Sequence, residues 1–210
     1  KDPVGFWTAQ ADNFDWHQKW NTALDWDFEG PNVKWFAGGK LNITENCLDR
    51  HLKKRGNKLA IIWEPNDPHE RFVRLTYREL HEKVCQYANV LKRNGAKKGD
   101  RICIYMPMVP DLAVAVLACA RIGAIHSVVF AGFSAQSIAD RITDAQCNMV
   151  LTSDGMCRGA KKQGVKSVVD EALLSCPSVQ RVLVAKRTGD NVAMQDGRDV
   201  WLHTELEGVD

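Results

Sequence analysis

A chain of 210 residues that is 45% hydrophobic and 26% charged has the make-up of a core-forming globular domain, not of a disordered or fibrous one. Its formal charge of +2 provides no global field for nucleic acid or an anionic membrane, and no apolar run approaches the roughly 18 residues of a membrane span. Seven cysteines, at 47, 85, 103, 119, 147, 157 and 176, form no Cys-x-x-Cys pair and fit reduced thiols acting as small hydrophobes, so a cytoplasmic setting is expected.

The first residues, Lys1 to Trp7, lack the apolar core and small-residue cleavage site of a signal peptide. Residues 1–45 concentrate Trp7, Trp16, Trp20, Trp26 and Trp35 without a helical or alternating period. They are expected to wrap over a larger body, leaving 46–210 as the α/β portion. Thr44 is expected to cap a helix through Leu52. Cys47 and His51 share the spacing of two metal ligands on a helix, but no second pair completes a site, and a half-buried packing face is the favoured reading.

Strands are expected at Leu59–Trp63 and Phe72–Leu75, joined by the turn Pro65-Asn66-Asp67-Pro68. Thr76-Tyr77-Arg78-Glu79 is a capping box; Leu80, Val84, Tyr87, Ala88 and Leu91 follow at helical spacing, and Gly95 supplies the stop. From Asp100 the rhythm alternates. Strands fall at Arg101–Met106, Ala124–Phe130, Asn148–Thr152 and Val179–Ala185. Helices fall at Leu112–Ile122, after Ser134 with Ile138 and Ile142, and at Val165–Leu174. Apolar strands linked by crossover helices define an α/β fold with a parallel sheet covered on both faces. The tail from Lys186 is polar and turn-like, with Val200-Trp201-Leu202 as a short apolar element.

Ligands of an open parallel sheet bind at the carboxyl ends of its strands. Three loops qualify: Met106–Pro110, Phe130–Ser134 and Thr152–Lys162. In the second, Gly132 permits close backbone approach and the flanking aromatics offer a face to a base. The third carries Arg158, Lys161 and Lys162 around Gly159 and Ala160, cations suited to a phosphate if the second and third strands are neighbours. A solvated surface is the competing reading of those cations. There is no Gly-x-Gly-x-x-Gly after a strand and no Walker-type loop. Ser137, His126 and Asp140 are discounted as a triad because Ser137 falls inside a helix without a nucleophile elbow. His126 reads as a satisfied strand residue, and Asp111 as a first-turn carboxylate favouring the helix dipole.

Two long blocks carry a resemblance. One is Trp35-Phe36-Ala37-Gly38-Gly39-Lys40-Leu41-Asn42 followed by Asn46-Cys47-Leu48-Asp49-Arg50-His51. The other runs from Gly99-Asp100-Arg101 through Tyr105-Met106-Pro107-Met108 and Ala118-Cys119-Ala120-Arg121-Ile122-Gly123 to Val129-Phe130-Ala131-Gly132-Phe133-Ser134. Together they resemble the amino-terminal part of AMP-forming acetyl-CoA synthetases, members of the adenylate-forming superfamily.

The resemblance implies the first part of a large amino-terminal ligase domain. Such enzymes join acetate to ATP, with magnesium balancing the phosphates, and then pass the acyl group from acetyl-AMP to CoA. In that family the nucleotide end of CoA lies against a Phe-Gly-Gly loop and an Arg-x-Gly-Arg/Lys loop, which match Phe130-Ala131-Gly132 and Arg158-Gly159-Ala160-Lys161. Ala131 and Ala160 stand where glycine is common, so a reshaped site is expected. The family's Ser/Thr/Gly-rich, lysine-ended phosphate loop has no counterpart in the 210 residues. The resemblance therefore implies CoA-contacting loops here, with ATP and magnesium sites, acyl pocket and catalytic residues elsewhere, and no activity from these residues alone. A propionyl-CoA synthetase fragment, a non-catalytic CoA- or nucleotide-binding module and a flavodoxin-like domain are the alternatives; the expected partners are small molecules.

Overall fold

Helix α1 (Pro3–Ala11) begins where Asp2 accepts the Gly5 amide at 2.8 Å and Pro3 occupies the first turn, which needs no amide donor. An antiparallel hairpin follows, β1 (Thr22–Asp27) with β2 (Asn32–Ala37). Trp16, Trp20 and Phe36 pack edge-on, with ring centroids 4.9 Å apart for Trp16–Trp20 and for Trp20–Phe36. The Trp16 indole donates to the Ala11 carbonyl at 2.8 Å. The tryptophans thus build a local aromatic cluster, the polar edge of one satisfied by backbone.

These features come from a computed structural model that describes residues 2–159 and 161–209. The chain divides into two compact units, Lys1–His51 and Leu52–Asp210.

Thr44 does not cap the next helix. Its hydroxyl and amide both donate to Asn42 Oδ1, at 2.8 and 2.9 Å, so the Asn42 side chain fills the capping role two residues earlier. A π-helical turn, Glu45–Asp49, then leads into α2 (Arg50–Arg55), and Cys47 faces solvent. No three His, Cys, Asp or Glu side chains converge as a metal site among the described residues.

In the second unit, β3 (Leu59–Trp63) pairs antiparallel with β4 (Val73–Thr76). Helix α3 (Tyr77–Arg93) starts at the capping box: Thr76 Oγ1 accepts the Glu79 amide at 3.2 Å while Glu79 accepts the Thr76 amide at 2.7 Å. Leu80, Val84, Tyr87, Ala88 and Leu91 are all buried, as their spacing requires. Next come β5 (Arg101–Met106) and α4 (Pro110–Ile122), which ends at Gly123 with φ +75°. The Tyr87 hydroxyl donates to Asp111 in the first turn of α4, tying α3 to α4; burial pushes the phenol well up, and the Asp111 charge adds to it.

The chain continues through β6 (Ile125–Phe130), α5 (Ala135–Ala145), β7 (Met149–Ser153), β8 (Gly155–Arg158), β9 (Lys161–Gly164), α6 (Lys166–Leu173), β10 (Arg181–Ala185), β11 (Asp199–Trp201) and α7 (Leu202–Leu206). The main sheet is five-stranded and parallel, ordered β11-β10-β7-β5-β6. Cys103, Tyr105, Val150, Val182 and Val184 pack with Ile138 and Ile142 of α5 and Val169 of α6. By strand alternation Ile102, Ile104, Leu151 and Leu183 lie on the opposite face, also fully buried.

Strand order decides a point that the sequence left conditional, and two expectations change. β6 and β7 are not neighbours, because β5 lies between them. β6 is an edge strand, and Ile125, Val128 and Phe130 are exposed because a neighbour covers one side alone. The stretch read as the third loop is a hairpin, with β8 antiparallel to β9 and Arg158 opposite Lys161.

Candidate functional site

A cavity of about 640 Å³ opens at the carboxyl ends of β5 and β6, a usual place and size for a ligand site in an α/β sheet. One wall is the β6 terminus, where Phe130, Ala131 and Gly132 all line the space. The Tyr105 hydroxyl, inside the sheet, reaches the Ala131 carbonyl at 3.1 Å and the Phe133 carbonyl at 2.8 Å. That single hydroxyl pins the start and end of the loop.

The methyl of Ala131 is buried with Tyr105 and Val129, and its φ lies outside the left-handed region, so alanine here carries no backbone strain. Gly132 has a steric reason instead. A Cβ there would lie 2.6 Å from the Phe130 ring, which folds over the glycine and meets Phe133 edge-on at 5.9 Å. Phe130 is 68% exposed, an aromatic face turned to solvent.

Arg158, at the end of β8, lines the same cavity with Met156 and Cys157. It has no ion-pair partner among the described residues, so its guanidinium is available to an anion. Although β6 and β7 do not touch, the hairpin carries Arg158 to the glycine loop. Gly159 turns the hairpin with φ +60°, the left-handed conformation that glycine adopts without penalty. Ala160 lies outside the described residues. Lys161 is exposed at the start of β9 and does not line the cavity. Lys162 is already engaged, donating to the Thr188 carbonyl at 3.0 Å and to Asp190 at 3.2 Å.

Of the discounted triad, Ser137 sits in α5 and its amide donates to Ser134, the helix cap, while His126 is exposed on the edge strand.

The opposite wall is Trp63, Asn66, Met108 and Arg187. Of these, the sequence singled out Met108 alone, within the Met106–Pro110 loop. The Trp63 indole donates to the Met108 carbonyl at 2.7 Å, and Asn66 donates to the Cys157 carbonyl at 2.9 Å, joining the β3–β4 turn to the hairpin. Arg187 lies 5.2 Å over the Trp63 ring. Its loop is held by the buried Asp154, whose Oδ1 accepts the amides of Arg187 at 2.7 Å and Thr188 at 3.0 Å, and whose Oδ2 accepts that of Gly189 at 2.7 Å. The rule that selected the other loops would have found Arg187 too, since it follows the carboxyl end of β10.

Residues 48–205 match the model of the AMP-binding enzyme family, and residues 1–47 match that of the acetyl-coenzyme A synthetase N-terminus. The chain is 52% identical over 210 residues to an acetyl-coenzyme A synthetase of Bdellovibrio bacteriovorus, covering all of this chain and 33% of that protein. It is 54% identical over 202 residues to one of Syntrophobacter fumaroxidans, covering 95% of this chain and 31% of that one. Among solved structures, acetoacetyl-CoA synthetase from Streptomyces lividans superposes with a TM-score of 0.86 at 26% identity, over 98% of this chain and 31% of that one. The chain thus spans about a third of the length of the relatives it matches.

Proposed function

The chain belongs to the AMP-binding enzyme family, and we propose that it is the part of an AMP-forming acetyl-CoA synthetase that receives the nucleotide end of CoA. The observation that carries the proposal is the convergence of the Phe130–Gly132 loop, at the end of β6, and Arg158, at the end of the β8 hairpin strand, on one cavity.

In this reading Phe130 offers its ring to the adenine, and Gly132 lets the ligand approach the backbone. Arg158 takes a phosphate oxygen pair through its planar fork, and Lys161 adds a charge that reaches inward from β9 when the ligand is bound. The buried network beneath, Tyr105 above all, keeps the loop in place. The full reaction, acetate and ATP to acetyl-AMP and pyrophosphate, then acetyl transfer to CoA, uses groups that we do not assign to these 210 residues. No residue here is assigned to ATP or magnesium, and acetate-dependent exchange of pyrophosphate into ATP by this chain alone is expected to stay at background.

Titration calorimetry tests the site. CoA should bind more tightly than 3′-dephospho-CoA, and the double change Arg158→Ala, Lys161→Ala should erase the difference. Equal weak heats for both ligands in the unaltered chain would sink the assignment.

A further inference from the structure

A second cavity, of about 620 Å³, lies where α3 and α4 end and the loop before β5 begins. That is the amino end of the strand, away from the loops described above. Lys92, Lys97, Lys98 and Arg121 line it together with Asn89, and no carboxylate among the described residues does. Ala88, Ala96 and Ile122 supply an apolar floor.

Part of this charge has a structural explanation. Lys92 and Arg121 stand in the last turns of their helices, where cations complement the dipole. Lys97 and Lys98 lie beyond both helices and have no such explanation. Asp100, in the same loop, accepts the Lys97 backbone amide at 2.8 Å. Lys92, Lys97 and Lys98 have no ion-pair partner among the described residues, whereas Lys162, Lys166, Arg187 and Arg198 all do. Lys98 is also positioned: its stem packs where a Cβ on Gly123 would fall, 3.0 Å from Lys98 Cγ.

We infer that this cavity is a second anion site, taking a small phosphate compound with two or more negative charges. Four converging cations attract such a ligand, and the cavity volume admits a diphosphate with or without an attached organic group. The site is independent of the CoA reading: it shares no residue with the first cavity.

The molecule carries its own reporters. Cys85 lines the second cavity, Cys157 lines the first, and Cys47 is exposed outside both. The other four thiols are buried, and burial pushes Cys103 and Cys119 up to about 12, so they stay silent at neutral pH. Labelling with the neutral reagent iodoacetamide, read peptide by peptide, is run with inorganic pyrophosphate, with AMP and with sulfate. Pyrophosphate at about ten times its dissociation constant should slow Cys85 labelling by roughly ten-fold by occupancy, leaving Cys47 and Cys157 unchanged. AMP protection as well would mean that an organic phosphate is accepted; protection by pyrophosphate alone would restrict the site to the inorganic anion. The exposed pair Lys97→Gln, Lys98→Gln should weaken the effect by about ten-fold. Calorimetric titration of pyrophosphate into both proteins gives a second reading that needs no thiol. Unaltered Cys85 labelling with no heat of binding overturns the inference. So does equal protection of all three thiols, or protection that survives the double substitution.

Discussion

The guanidinium of Arg187 grips the carboxylate of Glu70 through two parallel hydrogen bonds, Nη1 to Oε1 at 2.6 Å and Nη2 to Oε2 at 2.8 Å. The pair joins the turn between β3 and β4 to the loop after β10, residues 117 apart in sequence. With side chains 17% and 33% exposed, it is partly withdrawn from water, where a bidentate pair is worth more than a surface contact.

Arg187→Lys should therefore not be conservative. It keeps a charge but cannot reproduce the fork, and a loss of about 1 kcal/mol in urea unfolding is expected, with about 2 kcal/mol for Arg187→Ala. A double-mutant cycle with Glu70→Ala isolates the pair. Strictly additive single losses would show that the two hydrogen bonds contribute nothing to folding.

Much of this architecture was legible in the sequence where local chemistry and tertiary packing agree. The Thr76–Glu79 box, the apolar spacing of Leu80 to Leu91 and the αL stop at Gly95 define helix α3 before any packing is considered. Strand order was not legible, because crossover helices let β7 pair on either side of β5. The β8–β9 hairpin was hidden for a different reason. Gly155-Met156-Cys157-Arg158 and Lys161-Lys162-Gln163-Gly164 have no apolar alternation, and β9 is exposed throughout, so no buried face marks it as a strand. Phe130, Gly132 and Arg158 could be named from position and charge. Trp63, Glu70 and Arg187 could not be grouped, because nothing local in any of them announces the others.

Tyr105 makes the dependence of the site on the core testable. Burial raises its phenol above the ordinary range, so at neutral pH it is a hydrogen-bond donor. Tyr105→Phe keeps the ring but leaves the Ala131 and Phe133 carbonyls without that donor, at a cost of about 1–2 kcal/mol. If the loop is part of a CoA site, the affinity for CoA should fall although no ligand-facing group has changed. Unchanged affinity with lowered stability would make Tyr105 a packing residue only.

The buried charges around Asp199 set the acid behaviour of the second unit. Lys166, fully buried, donates to Asp199 at 2.8 Å, to Asp170 at 2.6 Å and to the Ala193 carbonyl at 3.0 Å, while Arg198 Nε adds a bond to Asp199 at 2.5 Å. Burial pushes the Asp199 carboxyl up, but the hydrogen bonds from Arg198, the Gln195 amide and Lys166 outweigh it and hold the group below the usual carboxylate range. A carboxylate whose folded pKa is depressed contributes stability that is fully present above its unfolded value, about 3.9, and is lost as pH falls through the folded value. Asp199→Asn should therefore cost about 3 kcal/mol at pH 7, where it leaves Lys166 and Arg198 short of an anion. As the pH falls below the unfolded value and through the lower folded one, the unaltered protein loses the same anion, and the difference between the two should narrow. Urea unfolding of both proteins at neutral pH and across the acid range decides it. A gap that stays constant down to pH values where the fold itself fails would mean that Asp199 acts through shape and not through charge.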